Sequence, residues 1–309
     1  DDDVVSVSER LHEEGLISDA GVFQWYVDHH GGLELTPGYY VLRPDDHMGN
    51  VMRVLRTPPS ETFTKVTFPE GYTYEKMALR LQEKVPRLSA LEFNVGATAG
   101  LLRSRFQPEG VSSLEGMLFP DTYQVSNGES EAQVIVRMIR LMERVGDQEG
   151  LETGAQAMGL TPYQVLIVAS LIEREAKVPE DRPKIARVIY NRMFLGMPLQ
   201  IDASLYYQQD GDRPFSELKA LDTPYNTYLY AGLPPTPIAN PGRASIDAAL
   251  HPAANPSQGD PLCVGLPDPS ACYYLYYVLA DEDGGHAFAV TLEQHEANVQ
   301  IARDKGLLN

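Results

Sequence analysis

The hydrophobic pattern of this chain is densest between Thr161 and Asp202. The run Val165-Leu166-Ile167-Val168-Ala169-Ser170-Leu171-Ile172 is apolar on nearly every side of a 3.6-residue helix, the pattern of a buried helix. Ahead of it, Thr161-Pro162-Tyr163-Gln164 supplies a capping threonine, a proline for the first turn and a glutamine three positions on to close a capping box. After a turn from Pro179 to Pro183, a second helix carries Ile185, Val188, Ile189 and Met193 on one face, with Gly196 placed to end it in left-handed backbone. Met197 to Asp202 reads as extended and leads into a short helix through Leu205 and Tyr206.

Upstream, Val5, Val7, Leu11, Leu16 and Ile17 predict two short helices over residues 4–30, the second capped by Ser18-Asp19. Leu35 to Leu42 predicts a turn entering a strand, and 47–56 resumes helical spacing. Thr64 to Phe68 alternates with period two and meets a turn at Pro69-Glu70-Gly71, after which a helix starts at Thr73. Residues 86–130 are rich in Pro, Gly and Ser, with short helices around 91–106, and 131–146 forms an amphipathic helix bearing Val134, Ile135, Met138, Ile139 and Met142. The prolines between Thr223 and Gly242 exclude a helix or central strand and suit the stiff rim of a cleft. Tyr273 to Leu279 reads as a buried strand, Gly284 to Val290 as a turn into another, and 292–307 as a closing helix. The expected fold class is therefore α+β. A small module occupies residues 1–64, a connecting region 65–150, and a larger mixed α+β domain 151–309, with a boundary near Gly146 to Gly154. The strand-and-short-helix alternation of the first parts is compatible with small LysM-like carbohydrate-binding modules.

Composition narrows the function classes. An apolar share of 43% and a charged share of 22% over 309 residues are those of a soluble globular chain, and no apolar run approaches the ~18 residues of a membrane span. A formal net charge of −18 argues against a nucleic-acid backbone as main partner. The chain opens on Asp1-Asp2-Asp3 without a methionine, as a trimmed piece of a longer protein would. Its histidines, among them His251 and His286, show no metal-ligand spacing, and Ser170 lacks the glycines of a nucleophile elbow, so neither metal nor cofactor is expected. Cys263 and Cys272 flank a loop with Gly265, Pro267 and Pro269 and suit either a disulfide or two thiols.

The candidate chemistry lies in Glu173-Arg174-Glu175, at the end of the apolar helix. Helical spacing puts Glu173 on the stripe of Leu166, Ala169 and Ser170, with Glu175 roughly opposite. A carboxyl against an apolar wall is disfavoured as an anion, which makes Glu173 the expected general acid. The alternative is a carboxylate at a frayed helix end, paired with Arg174 or Lys177.

These residues also carry a resemblance. Ala169-Ser170-Leu171-Ile172-Glu173-Arg174-Glu175, Asn191-Arg192, Leu199-Gln200-Ile201-Asp202, Tyr225-Asn226-Thr227-Tyr228, Gly232-Leu233-Pro234-Pro235, Asn240-Pro241-Gly242, His251-Pro252 and Gly285-His286-Ala287-Phe288 stand in the order and spacing of the YceG-like (MltG) family. Glu115-Gly116 and Phe119-Pro120-Asp121-Thr122-Tyr123 fit as well, whereas Asn255 to Ala271 looks like an insertion. The chain thus resembles endolytic murein transglycosylases. The resemblance implies a single-pass anchor in the cell membrane, absent from this chain, and a catalytic part outside the cytoplasm among cell-wall synthesis proteins. It implies cleavage of nascent peptidoglycan strands between N-acetylmuramic acid and N-acetylglucosamine, leaving 1,6-anhydromuramic ends and terminating strand elongation. Its essential acid would fall on Glu173, with Gln200, Asp202, Tyr225, Asn226 and Tyr228 binding sugar. Glu115 and Asp121 would either line the far side of the cleft or hold the corner between domains. An extracytoplasmic location favours the Cys263–Cys272 disulfide. The runners-up are a hydrolytic muramidase, with Asp202 or Glu175 activating water, and a silent peptidoglycan-binding scaffold. Glu173 is expected in a cleft facing Glu115 to Tyr123.

Overall fold

The structure is a computed structural model and describes residues 3–36, 38, 40, 42–44, 46–58, 63–209 and 213–308. Helices α1 (Val4–Glu13), α2 (Ala20–His29) and α3 (Met48–Arg56) close on their own apolar cluster of Leu11, Ile17, Phe23, Val27, Val51, Met52 and Leu55. Asp3 and Asp19 cap the first two by accepting the N–H groups of Ser6 and Val22. Of the strand expected over 35–42, Pro37, Tyr39 and Val41 lie outside the described residues, and the others form no strand.

Next comes a strand–helix–helix–strand unit: β1 (Phe63–Thr67), α4 (Tyr74–Lys84), α5 (Ala90–Thr98) and β2 (Thr122–Ser126). The two strands pair antiparallel with Val66 opposite Tyr123. Helices α6 (Glu131–Glu149), α7 (Leu151–Ala157), α8 (Pro162–Glu175), α9 (Arg182–Phe194), α10 (Asp202–Tyr206), α11 (Phe215–Ala220) and α12 (Arg243–Leu250) follow. The hairpin β3 (Tyr276–Leu279) and β4 (His286–Ala289) and the closing helix α13 (Leu292–Asp304) complete the chain.

One continuous apolar cluster runs from Val66 to Phe288, across the Gly146–Gly154 bend, and α8 is its axis. Every residue from Val165 to Ile172 is buried, as an all-round apolar helix requires. The Thr161–Gln164 capping box forms: the Thr161 N–H donates to Gln164 Oε1 at 2.9 Å and the Gln164 N–H to Thr161 Oγ1 at 3.2 Å. At the end of α9, Gly196 adopts the left-handed backbone its position asks for, with φ of 67°. Among the described residues no single helix is long and apolar enough to cross a membrane.

Two expectations change. The strand predicted over Tyr273–Leu279 shrinks to Tyr276–Leu279 and is half-buried. Side chains of α9 take the backbone ahead of it: Asn191 Nδ2 donates to the Tyr274 carbonyl at 2.8 Å and Arg192 Nε to that of Leu275 at 2.7 Å. Helix α12, which the proline-rich approach hides, lies along α8 with Ser245, Ile246, Ala249 and Leu250 buried. A disulfide joins Cys263 to Cys272, and with Val290 they make a satellite cluster.

Candidate active site

The two carboxylates at the end of α8 leave it in different directions and meet different surroundings. Glu173 is half-buried, and its Oε2 accepts the Gly242 N–H at 3.0 Å and the Ser245 hydroxyl at 2.8 Å. It therefore caps α12 from outside, where unpaired N–H groups and the helix dipole favour a negative group. The expected apolar wall is absent, because the first turn of α12 presents donors there.

A second carboxylate crowds the same place. Glu70, in the turn after β1, lies against Gly242 so closely that a Cβ on Gly242 would stand 1.7 Å from Glu70 Oε1. Partial burial raises the pKa of Glu70, the Glu173 charge adds to this, and Arg182 opposes it. Gly71, with φ of +74°, turns the backbone in left-handed conformation over Glu173, whose Cγ lies 3.6 Å from where a Cβ would point. The part of the N-terminal half that meets Glu173 is thus the Glu70–Gly71 turn, rather than Glu115 to Tyr123.

Glu175 faces elsewhere, as its spacing requires, and is half-buried like Glu173. Tyr277, from β3, donates its hydroxyl to Glu175 Oε2 at 2.9 Å, and α10 packs against α8. Burial pushes the Glu175 pKa up to about 7, Asp202 adds to this, and the Tyr277 hydrogen bond and Arg174 oppose it. Asp202, which does not cap α10, accepts the Tyr228 hydroxyl through Oδ1. Gln200 is exposed, in left-handed backbone with φ of 54°, and accepts Arg192 Nη1 at 3.3 Å. Three of the expected sugar-binding residues, Gln200, Asp202 and Tyr228, therefore gather on the Glu175 side of α8.

Glu115, Asn226 and Tyr225 serve packing. Glu115 is fully buried, with Oε1 accepting the Tyr74 N–H at 3.2 Å and Asn240 Nδ2 at 2.8 Å, and Oε2 the Tyr207 hydroxyl at 3.2 Å. Burial pushes its pKa up to about 8. No glycan can reach it, and it holds the corner between the two halves. Asn226, also fully buried, ties its own turn: Nδ2 donates to the carbonyls of Lys219 at 3.0 Å and Leu221 at 2.8 Å, and Oδ1 accepts the Tyr228 N–H at 3.0 Å. Tyr225 packs edge-on against Tyr207, and its hydroxyl lies 2.9 Å from that of Thr236. Asp121 is exposed at the start of β2, where it accepts the Thr122 N–H at 2.6 Å. His286 bonds through its N–H and Nδ1 to Asp181, at 2.8 and 3.0 Å, as a structural histidine. Among the described residues no group of three or more His, Cys, Asp or Glu side chains is placed to hold a metal.

Sequence reasoning missed Tyr277, Ser245 and Glu70. Tyr277 was visible only as one of four tyrosines in Tyr273–Tyr277, and its register against Phe288 on β4 decides that it points at α8. Ser245 belongs to a helix whose signal was Gly242 followed by Ile246, Ala249 and Leu250 at helical spacing.

Residues 1–301 match the family model of the YceG-like family. Over 307 residues the chain is 28% identical to the endolytic murein transglycosylase of Bacillus subtilis (strain 168), covering 94% of this chain and 80% of that protein. It is 26% identical over 331 residues to the endolytic murein transglycosylase of Streptococcus pneumoniae serotype 2 (strain D39), covering 96% of this chain but 56% of that longer protein. A crystal structure of a yceG-like protein from Listeria monocytogenes has a TM-score of 0.63 with this one at 25% identity, covering 96% and 95% of the two chains. With the match spanning nearly its whole length, the chain belongs to the YceG-like family.

Proposed function

We propose that this chain is a peptidoglycan lytic transglycosylase whose proton-transferring residue is Glu175. The half-buried Glu175 carboxyl, hydrogen-bonded to Tyr277 and with its pKa raised to about 7, carries the reading. Such a group holds a proton near neutral pH and can also accept one. It protonates the glycosidic oxygen between N-acetylmuramic acid and N-acetylglucosamine as the C1–O bond breaks. The resulting carboxylate then takes the proton of the muramic C6 hydroxyl as that oxygen bonds to C1. The products are a free sugar hydroxyl and a 1,6-anhydro end, and Glu175 is protonated again. Gln200 and Asp202, exposed beside it, are placed to bond sugar hydroxyls. Glu173 serves instead as the anchor of α12.

The relatives named endolytic murein transglycosylases support this substrate class. The finer reading is ours: cutting inside nascent strands to end their elongation, beside cell-wall synthesis proteins, from a membrane anchor outside this chain, on the extracytoplasmic side. The β1–α4–α5–β2 order, antiparallel with two helices between, supports the LysM-like reading of that region. One observation favours a muramidase: the Asp202 carboxylate, held by Tyr228, stands beside the acid, and hydrolysis commonly employs two carboxylates.

Mass spectrometry of glycans released from purified sacculi tests both readings. Anhydro ends, lighter by one water, are expected from the wild type and ~10²–10⁴-fold fewer from Glu175→Gln. Reducing muramic ends alone would make the protein a muramidase, and undiminished cleavage by Glu175→Gln would move the acid elsewhere.

A further inference from the structure

We propose that Tyr277 and the Asp202–Tyr228 pair are positioning residues acting on Glu175 in opposite senses, one anchoring a carboxyl oxygen through a donated hydrogen bond and the other fixing a second carboxylate beside it. The inference deepens the reading of Glu175 as the general acid and rests on it.

The geometry makes each partner rigid. Tyr277 sits on β3 opposite Phe288, so its backbone is set by the hairpin. Its ring stands edge-on to His286, with centroids 5.4 Å apart, and Asp181 pins that histidine at 2.8 and 3.0 Å. The Tyr277 hydroxyl therefore reaches Glu175 Oε2 without rotamer freedom, and the bond it donates strengthens when Glu175 is an anion. On the other side, α10, which starts at Asp202, packs against α8. Tyr228 donates to Asp202 Oδ1 and holds that carboxylate in place. The Tyr228 ring is itself set by Lys219 at 4.4 Å from its centroid and by Phe215 edge-on at 6.1 Å.

The remaining charges near Glu175 do not cancel this arrangement. Arg174, on the same helix, is exposed and favours the anion. Arg192, from α9, is bonded to the carbonyls of Leu275 at 2.7 Å, Leu199 at 2.6 Å and Pro198 at 3.2 Å, and lies over Tyr276. Like charges repel, so Asp202 disfavours the Glu175 anion, whereas Tyr277 favours it. Removing either partner must therefore displace the acid along the pH axis in its own direction, which a purely structural role would not do.

The test is the pH profile of anhydro-product formation from sacculi by wild type, Tyr277→Phe and Asp202→Asn, with thermal unfolding as the check on folding. The wild-type rate falls as pH rises through the ionisation of Glu175. In Tyr277→Phe this falling limb is expected to move to higher pH, and in Asp202→Asn to lower pH, each by on the order of one pH unit. The maximal rate of Tyr277→Phe is expected to fall roughly tenfold or more, the measure of a hydrogen bond to a charged group. Rate losses with unmoved limbs, or limbs that move the same way, would overturn the proposal while leaving Glu175 as the acid. Full turnover by Glu175→Gln would instead remove the reading beneath it. Should Tyr277→Phe unfold, Asp202→Asn, a change at an exposed side chain, decides alone through its downward shift.

Discussion

Glu173 and Glu175 are two residues apart on one helix, yet the chain treats them in opposite ways. Glu173 meets backbone and hydroxyl donors at the head of α12 and shares its corner with Glu70 and Arg182. Glu175 is bonded to Tyr277 of β3 on a helix that packs against α10, and Asp202 raises its pKa. Glu173 is tied to the head of a helix, while Glu175 is bonded to a strand tyrosine and has its pKa raised to about 7. The partners that separate the two surroundings lie 69 and 102 positions further along the chain, in Gly242 and Tyr277, not in the helix that bears both glutamates.

The largest expected effect bears directly on this contrast. Glu175→Gln should lower cleavage by ~10²–10⁴-fold, the usual contribution of general acid–base catalysis. Glu173→Gln, which keeps an oxygen for Ser245 or Gly242, should stay within about tenfold of wild type and form the same anhydro product. The reverse order, measured on the same sacculi, would exchange the two roles.

Glu115 sharpens the comparison, since it is as buried as an acid needs to be but has no path to substrate. Glu115→Ala would leave Asn240, Tyr207 and the Tyr74 N–H without their acceptor and should cost about 2–5 kcal/mol in denaturant unfolding. The pH response has a fixed sign. With its folded pKa raised to about 8, Glu115 keeps its proton in the native state where the unfolded chain has lost it. Its contribution to stability is full below the unfolded pKa near 4.5 and is lost as pH rises towards 8. Glu115→Gln should flatten that part of the pH–stability curve. An unchanged slope would mean that the corner holds its charge.

A smaller effect is expected at the anchor. Gly242→Ala places a methyl where Glu70 Oε1 lies and should cost about 1–3 kcal/mol, as overpacking does. Adding Glu70→Ala opens that space and should restore most of the loss. A double variant no more stable than Gly242→Ala alone would show that Glu70 is not what crowds the glycine.

Much of this was legible in the sequence, for identifiable reasons. The capping box at Thr161, the all-round apolar run and Gly196 located α8 and α9 within a residue or two, because caps and periodicity are local signals. The same periodicity told that Glu173 and Glu175 point apart, but not what each would meet. That depends on the register of β3 against β4 and on where α10 lands, which no spacing along α8 records. Glu115 and Asn226 look like sugar ligands as residue types. Only their neighbours, Asn240 for one and the carbonyls of Lys219 and Leu221 for the other, show every oxygen or N–H already engaged. Helix α12 escaped because Pro241 and Gly242 read as loop, although both sit just where a helix can begin.

Asn240 bonds at once to the Tyr72 carbonyl, the Glu115 carboxyl and the Leu118 N–H, across sequence separations of 168, 125 and 122 residues. Those separations impose an order in time. A chain made from its N-terminus has β1, α4, α5 and β2 in hand long before residue 240 exists, and contacts so distant are slow to close. Until then Glu115 lacks its amide partner, and the Glu70–Gly71 turn has neither the Asn240 carbonyl nor Gly242 to rest on. The corner beside α8 is therefore completed late, together with the seating of Glu173 on α12. A newly made chain carries no finished site on the half that folds first.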